Sequence, residues 1–187
     1  MKDILKCIGL LIVGLFVSVI GYPFLHETCH TIIALVVGAK VIDFSLLPLP
    51  YVTCEISITN DFGLILIGLA GMYLPMIFSL IIRPKSFWLW YGLLLTKGIC
   101  LLSFIISLVS IILYNFGIKV SNEDIVQIMD VRSEGDLILA ILMILSMLIV
   151  FYSIIKQSPF RDFVYSLSRH YCDGFFHILS KHLIYFL

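Results

Sequence analysis

The sequence predicts an all-α polytopic membrane protein, with about four transmembrane helices, a small juxtamembrane β-hairpin and a C-terminal interfacial amphipathic helix. Three observations carry that reading. Of the 187 residues, 61% are hydrophobic and 13% charged, whereas ordinary soluble domains hold about 45–50% apolar and about 25% charged residues. The mean hydropathy is +1.12. Four apolar runs are long enough to cross a bilayer, which takes about 20 residues for a ~30 Å hydrocarbon core.

The first run extends from Ile4 to Gly38. As one helix it would reach about 52 Å, too long for a straight crossing, and Gly21 and Pro23 offer a place to kink or break it. Lys2 and Lys6 ahead of an apolar stretch resemble a signal peptide. The stretch continues past any plausible cleavage point and no small-x-small site closes it, so a retained anchor is expected. Next comes "AKVIDFSLLPLPYVTCEISITND", in which Val41–Ser45 and Val52–Ile58 read as short strands, with Pro48 and Pro50 marking the turn. The second and third spans are Phe62–Ile82 and Phe87–Phe116, and Lys97-Gly98 is a further place where a helix can break.

Between the third and fourth spans, Ser121 followed by Asp124 resembles a capping box that opens a short helix, Glu123–Val131. The fourth span is Leu137–Ile155. The tail mixes aromatics with spaced cations, as an amphipathic helix lying in the interface does, broken near Asp173-Gly174. Residues 1–156 thus form a transmembrane core and residues 157–187 an interfacial tail.

Charge selects the topology. With four crossings, Lys2, Lys6, Arg83, Lys85, Lys156, Arg161, Arg169 and Lys181 share one side, and only Lys40, Lys119 and Arg132 lie opposite. A fifth crossing within the first run would erase that asymmetry, so both termini are expected in the cytoplasm. The formal net charge is zero, which gives no reason to expect a nucleic-acid partner. The five cysteines are odd in number, scattered and without a CxxC pair, so neither a disulfide framework nor a thiolate zinc site is indicated.

Inside the first run lies "LHETCHT", Leu25–Thr31, which places three ionisable groups in a segment otherwise fit for lipid. A charged group at a helix centre costs roughly 2.5–3.5 kcal/mol on insertion scales, and such groups are kept for function. His26 and His30 are four apart and so share a helix face, and Glu27 flanks it: the HExxH pattern of two metal-ligating imidazoles and a glutamate base. Catalytic zinc keeps three protein ligands and an open position. The candidates for the third ligand are Asp43, Glu55, Asp61, Glu123, Asp124, Asp130, Glu134, Asp136 and the tail histidines. Asp124 ranks first, at the start of the short apolar "DIVQIM" helix; Glu123 and Asp130 follow.

A second feature is "GLAGMYLPM", where Gly68 and Gly71 permit close backbone approach and Pro75 frees a carbonyl. It reads as a close helix contact beside the metal or as small-residue packing alone. His170, Cys172, His177 and His182 do not fall on one helical face and make no second metal site. Lys97 can snorkel or pair with an acid.

An HExxH helix within the membrane, followed by "GAKVIDFSLLP" and "GLAGMYLP", resembles the site-2 protease class of intramembrane zinc metalloproteases. The resemblance spans roughly Leu10 to Gln127, and its specific part is the HExxH. It implies a metalloprotease-like core, Zn2+ held by His26 and His30, Glu27 as the catalytic glutamate, Asp124 as third ligand, and a membrane-protein substrate. The family's Asn-Pro…Asp-Gly element is absent, and "AGMYLP" lacks its usual Gly-Pro and Asn. Two other readings stay open: a CAAX-type membrane metallopeptidase and a catalytically silent scaffold that binds helices.

Overall fold

The computed structural model describes residues 2–45, 50–55, 61–120, 124–131 and 135–156. The chain is a polytopic helical membrane protein. Among the described residues, four helices are long and apolar enough to cross a bilayer, and the one sheet is a two-stranded hairpin. Contacts divide the chain into two units, Met1–Val150 and Phe151–Leu187. Of the second unit, Phe151–Lys156 are described, as the end of the last helix, where the Lys156 ammonium lies 5.7 Å from the Tyr152 ring centre.

The first run does not break. Helix α1 (Lys2–Phe16) passes through a π-helical turn, Val17–Gly21, into α2 (Tyr22–Val36), with helical dihedrals at both joints. The Tyr22 amide reaches back to the Val17 carbonyl. The wide turn has a local cause: Pro23 has no N–H for the ladder, and the backbone before it adjusts by taking in an extra residue. The second half ends at Gly38, whose φ of +79° suits glycine alone, and the Ala39 amide bonds back to Ala34 at 2.8 Å. That closure turns the chain directly into the hairpin.

The hairpin pairs β1 (Lys40–Ser45) antiparallel with β2 (Tyr51–Glu55), with a bulge between Val41 and Asp43. Residues 56–58, assigned to the second strand by sequence, lie outside the described residues, as do Pro48, Ser121 and the whole tail 157–187. Helix α3 (Asp61–Ile81) runs on through Pro75, and α4 (Phe87–Asn115) continues unbroken across Lys97-Gly98. Helix α5 (Asp124–Val131) and the membrane-spanning α6 (Asp136–Lys156) follow, the last elements among the described residues.

The core lies among α2, α3, α4 and α5. α4 buries Trp90, Leu93, Lys97, Cys100, Phe104, Ser107 and Ile111 at helical spacing, so Lys97 sits in the packed face and does not snorkel. Tyr73 of α3 stacks edge-on against Phe104 at 5.3 Å and shares a hydrogen bond with Ser146 of α6. The outer faces of α1, α4 and α6 expose large aliphatic side chains, as lipid-facing surfaces do. Among the described residues, Cys7, Cys29, Cys54 and Cys100 are free thiols.

Candidate metal centre

α2 projects His26 and His30 from one face, one turn apart. Their rings meet edge-on with centroids 4.6 Å apart, and their Nε2 atoms lie 3.0 Å from each other. Asp124, the first residue of α5, brings Oδ2 to 3.3 Å from His26 Nε2 and 3.2 Å from His30 Nε2. Tetrahedral zinc with bonds of about 2.0–2.1 Å holds its donors about 3.3 Å apart. The observed triangle has nearly that edge, so the three side chains form a group able to hold one metal ion.

The chemistry of the donors agrees with the spacing. His30 Nδ1 lies 2.6 Å from the Ile67 carbonyl, which can only accept, so Nδ1 carries the proton and the Nε2 lone pair points into the triangle. Acceptors packed this closely repel one another unless they share a cation. Burial alone would push the Asp124 carboxyl up. With protons on both imidazoles in place of a metal, their charge and Nε2–H bonds outweigh burial and hold the group well below the usual carboxylate range.

α3 closes the back of the centre. A β-carbon added to Gly71 would lie 2.3 Å from His30 Nε2 and 2.5 Å from His26 Cε1, so only glycine lets the imidazoles rest on this backbone. One turn earlier, a β-carbon on Gly68 would meet Ile128 Cδ1 at 2.8 Å. The "GLAGMYLPM" segment thus makes two close contacts: Gly71 with the imidazoles and Gly68 with the helix that carries Asp124. The carbonyl that Pro75 leaves unpaired within α3 belongs to Gly71.

Glu27 is buried beside the imidazoles, and its carboxylate accepts a hydrogen bond from the Val52 backbone amide. An amide so engaged points away from β1. The edge of β2 that has no partner strand among the described residues therefore faces Glu27. Between that edge, α3 and α5 opens a cleft of about 670 Å³, with Glu27, His30 and Asp124 among its lining residues. Thr28 and Thr31 of the same segment return their hydroxyls to the Phe24 and Glu27 carbonyls, which satisfies them inside an apolar helix.

The other carboxylates lie elsewhere. Asp130 faces Lys119 and Tyr114, Asp43 accepts from the Tyr51 hydroxyl at 2.7 Å, and Asp136 accepts from Asn115 at 3.2 Å. Asp130 is therefore not placed as a ligand, because its position on α5 turns it toward the end of α4. Glu123, Glu134 and the tail histidines lie outside the described residues. The partners that sequence reasoning missed are the Ile67 carbonyl and the Val52 amide: backbone groups that no residue type announces. Compared with protein-family models, curated proteins and solved structures, the chain matches none.

Proposed function

We propose that this protein is a zinc-dependent intramembrane endopeptidase, cleaving peptide bonds in transmembrane or juxtamembrane segments of other membrane proteins. The observation that carries the reading is the convergence of His26, His30 and Asp124 beside Glu27, at a cleft edged by the unpaired side of β2. Zinc would be held by the two imidazoles and the carboxylate, and when bound it polarises a carbonyl and acidifies water. Two histidines and a carboxylate also suit ferrous iron. What favours hydrolysis is Glu27, a base without a ligand's position but within reach of the same centre.

The chain's own residues then have distinct tasks. Glu27 takes the proton of the attacking water and delivers it to the leaving amine. Val52 N–H orients that carboxylate. A helical substrate shields its peptide bonds and must unwind to be cut, and the free edge of β2 offers an unwound strand backbone pairing. By the distribution of Lys and Arg, both termini lie in the cytoplasm and the hairpin on the opposite side.

The test is Glu27→Gln against wild type, with zinc content and cleavage of a transmembrane substrate measured on each. The variant is expected to keep stoichiometric zinc and lose cleavage, whereas His30→Ala loses both. Equal behaviour of wild type and Glu27→Gln toward every membrane substrate would sink the reading. A wild-type protein that purifies without stoichiometric metal would point to the silent scaffold.

A further inference from the structure

We infer that Gln127 is a substrate-positioning residue, whose carboxamide hydrogen-bonds the backbone of an extended peptide strand lying between α5 and the free edge of β2. This rests on the peptidase reading of the same cleft and adds the second wall of the substrate site. Gln127 stands three residues after Asp124, on the same side of α5, and lines the cleft with Glu27 and His30. Its neighbours Ile125, Val126, Ile128 and Met129 are buried, while Gln127 itself is exposed. Among the described residues its carboxamide makes no hydrogen bond. The other exposed polar side chain within α5, Asp130, is engaged by Tyr114 and Lys119.

The remaining polar side chains of the cleft are already assigned. Glu27, His30 and Asp124 form the centre, and the Tyr51 hydroxyl donates to Asp43. Leu64, Ile67, Gly68 and Ile128 supply apolar wall. A strand pairing with β2 satisfies the backbone groups on one of its edges only. In an apolar cleft the groups on its other edge would each cost roughly 1–3 kcal/mol if left unpaired. A carboxamide both donates and accepts, so it can meet an amide N–H and a carbonyl of that second edge. It carries no charge, so it does this without competing for the metal.

The experiment uses full-length Glu27→Gln protein in detergent, which binds without cutting. The probes are a fluorescent apolar decapeptide and a series in which each backbone amide in turn is replaced by an ester. The background is compared with the same background carrying Gln127→Ala or the near-isosteric Gln127→Met. Both added substitutions are expected to leave zinc content unchanged and to weaken binding about tenfold. One ester position should cost as much with Gln127 present and nothing once it is replaced.

Equal binding with and without Gln127, or the lack of any ester position whose penalty disappears when Gln127 is replaced, overturns the inference; penalties at amides paired with β2 persist in every variant. So does a failure of any peptide to bind. If wild type binds the probes with this Gln127 dependence but never cleaves, the peptidase reading fails and the role of Gln127 stands.

Discussion

At the scale of single residues, the site depends on what Gly71 lacks. Gly71→Ala places a methyl group inside the contact distance of both imidazoles, with α3 backbone behind it that cannot retreat. The expected result is loss of metal binding, read as metal content by elemental analysis, with helical circular dichroism retained. Gly68→Ala meets Ile128 at Cδ1 and Cγ1, 2.8 and 2.9 Å away, and no imidazole, so α5 must shift slightly, and the variant should still bind metal but a few-fold more weakly. This contrast also shows what could be read in advance. His26, Glu27 and His30 announce themselves because their roles depend on a local spacing, and Asp124 stood out by heading a short apolar helix. Gly71 meets His30 across 41 positions of sequence; the glycine was visible, but its partner was set by tertiary packing. The Ile67 carbonyl had no signal at all, since every residue carries one.

At the scale of elements, α5 matters most, because it carries one of the three candidate donors, Asp124, and is only eight residues long. A helix that short does not hold itself together in water. It is held near its start by the site and near its end by Asp130, which accepts from the Tyr114 hydroxyl at 2.9 Å and pairs with Lys119. The pairing with Lys119 lowers the Asp130 carboxyl below its ordinary value, and Asp130 raises the Lys119 ammonium above its own. The contribution of Asp130 is therefore lost only as pH falls through its depressed value, and that of Lys119 only as pH rises through its raised one. The clamp is intact across the whole neutral range. Asp130→Asn should speed loss of any bound metal to EDTA by no more than a few-fold at neutral pH, because exposed ion pairs contribute little, and the difference from wild type should vanish in strong acid. The spans themselves were legible, since apolar run length reports them directly. The continuity of the first run was not, because Pro23 predicts an interruption and the backbone absorbed it by widening one turn.

At the scale of the whole molecule, four spans put the hairpin and α5 at one end of the helices and the α3–α4 connection, Ile82–Ser86, at the other. With the five native cysteines replaced, Thr53→Cys and Lys119→Cys should react with an impermeant thiol reagent from the same side, and Lys85→Cys only from the opposite one. Labelling of all three from one side would refute four crossings. The first span also carries a consequence for how sequence length can vary here. A residue taken into a helical turn rotates everything beyond it by about 100°, so the π turn at Val17–Gly21 acts as a gear tooth between α1 and the half of the span that carries His26 and His30. α2 is held against α3, so deleting one residue at Val19 would swing α1 instead, carrying Gly9 and Gly14 away from Trp88 and Tyr91. The three donors would be untouched while α1 lost its seat, which makes this five-residue turn the place where the chain can change how α1 grips the bundle without moving His26 and His30.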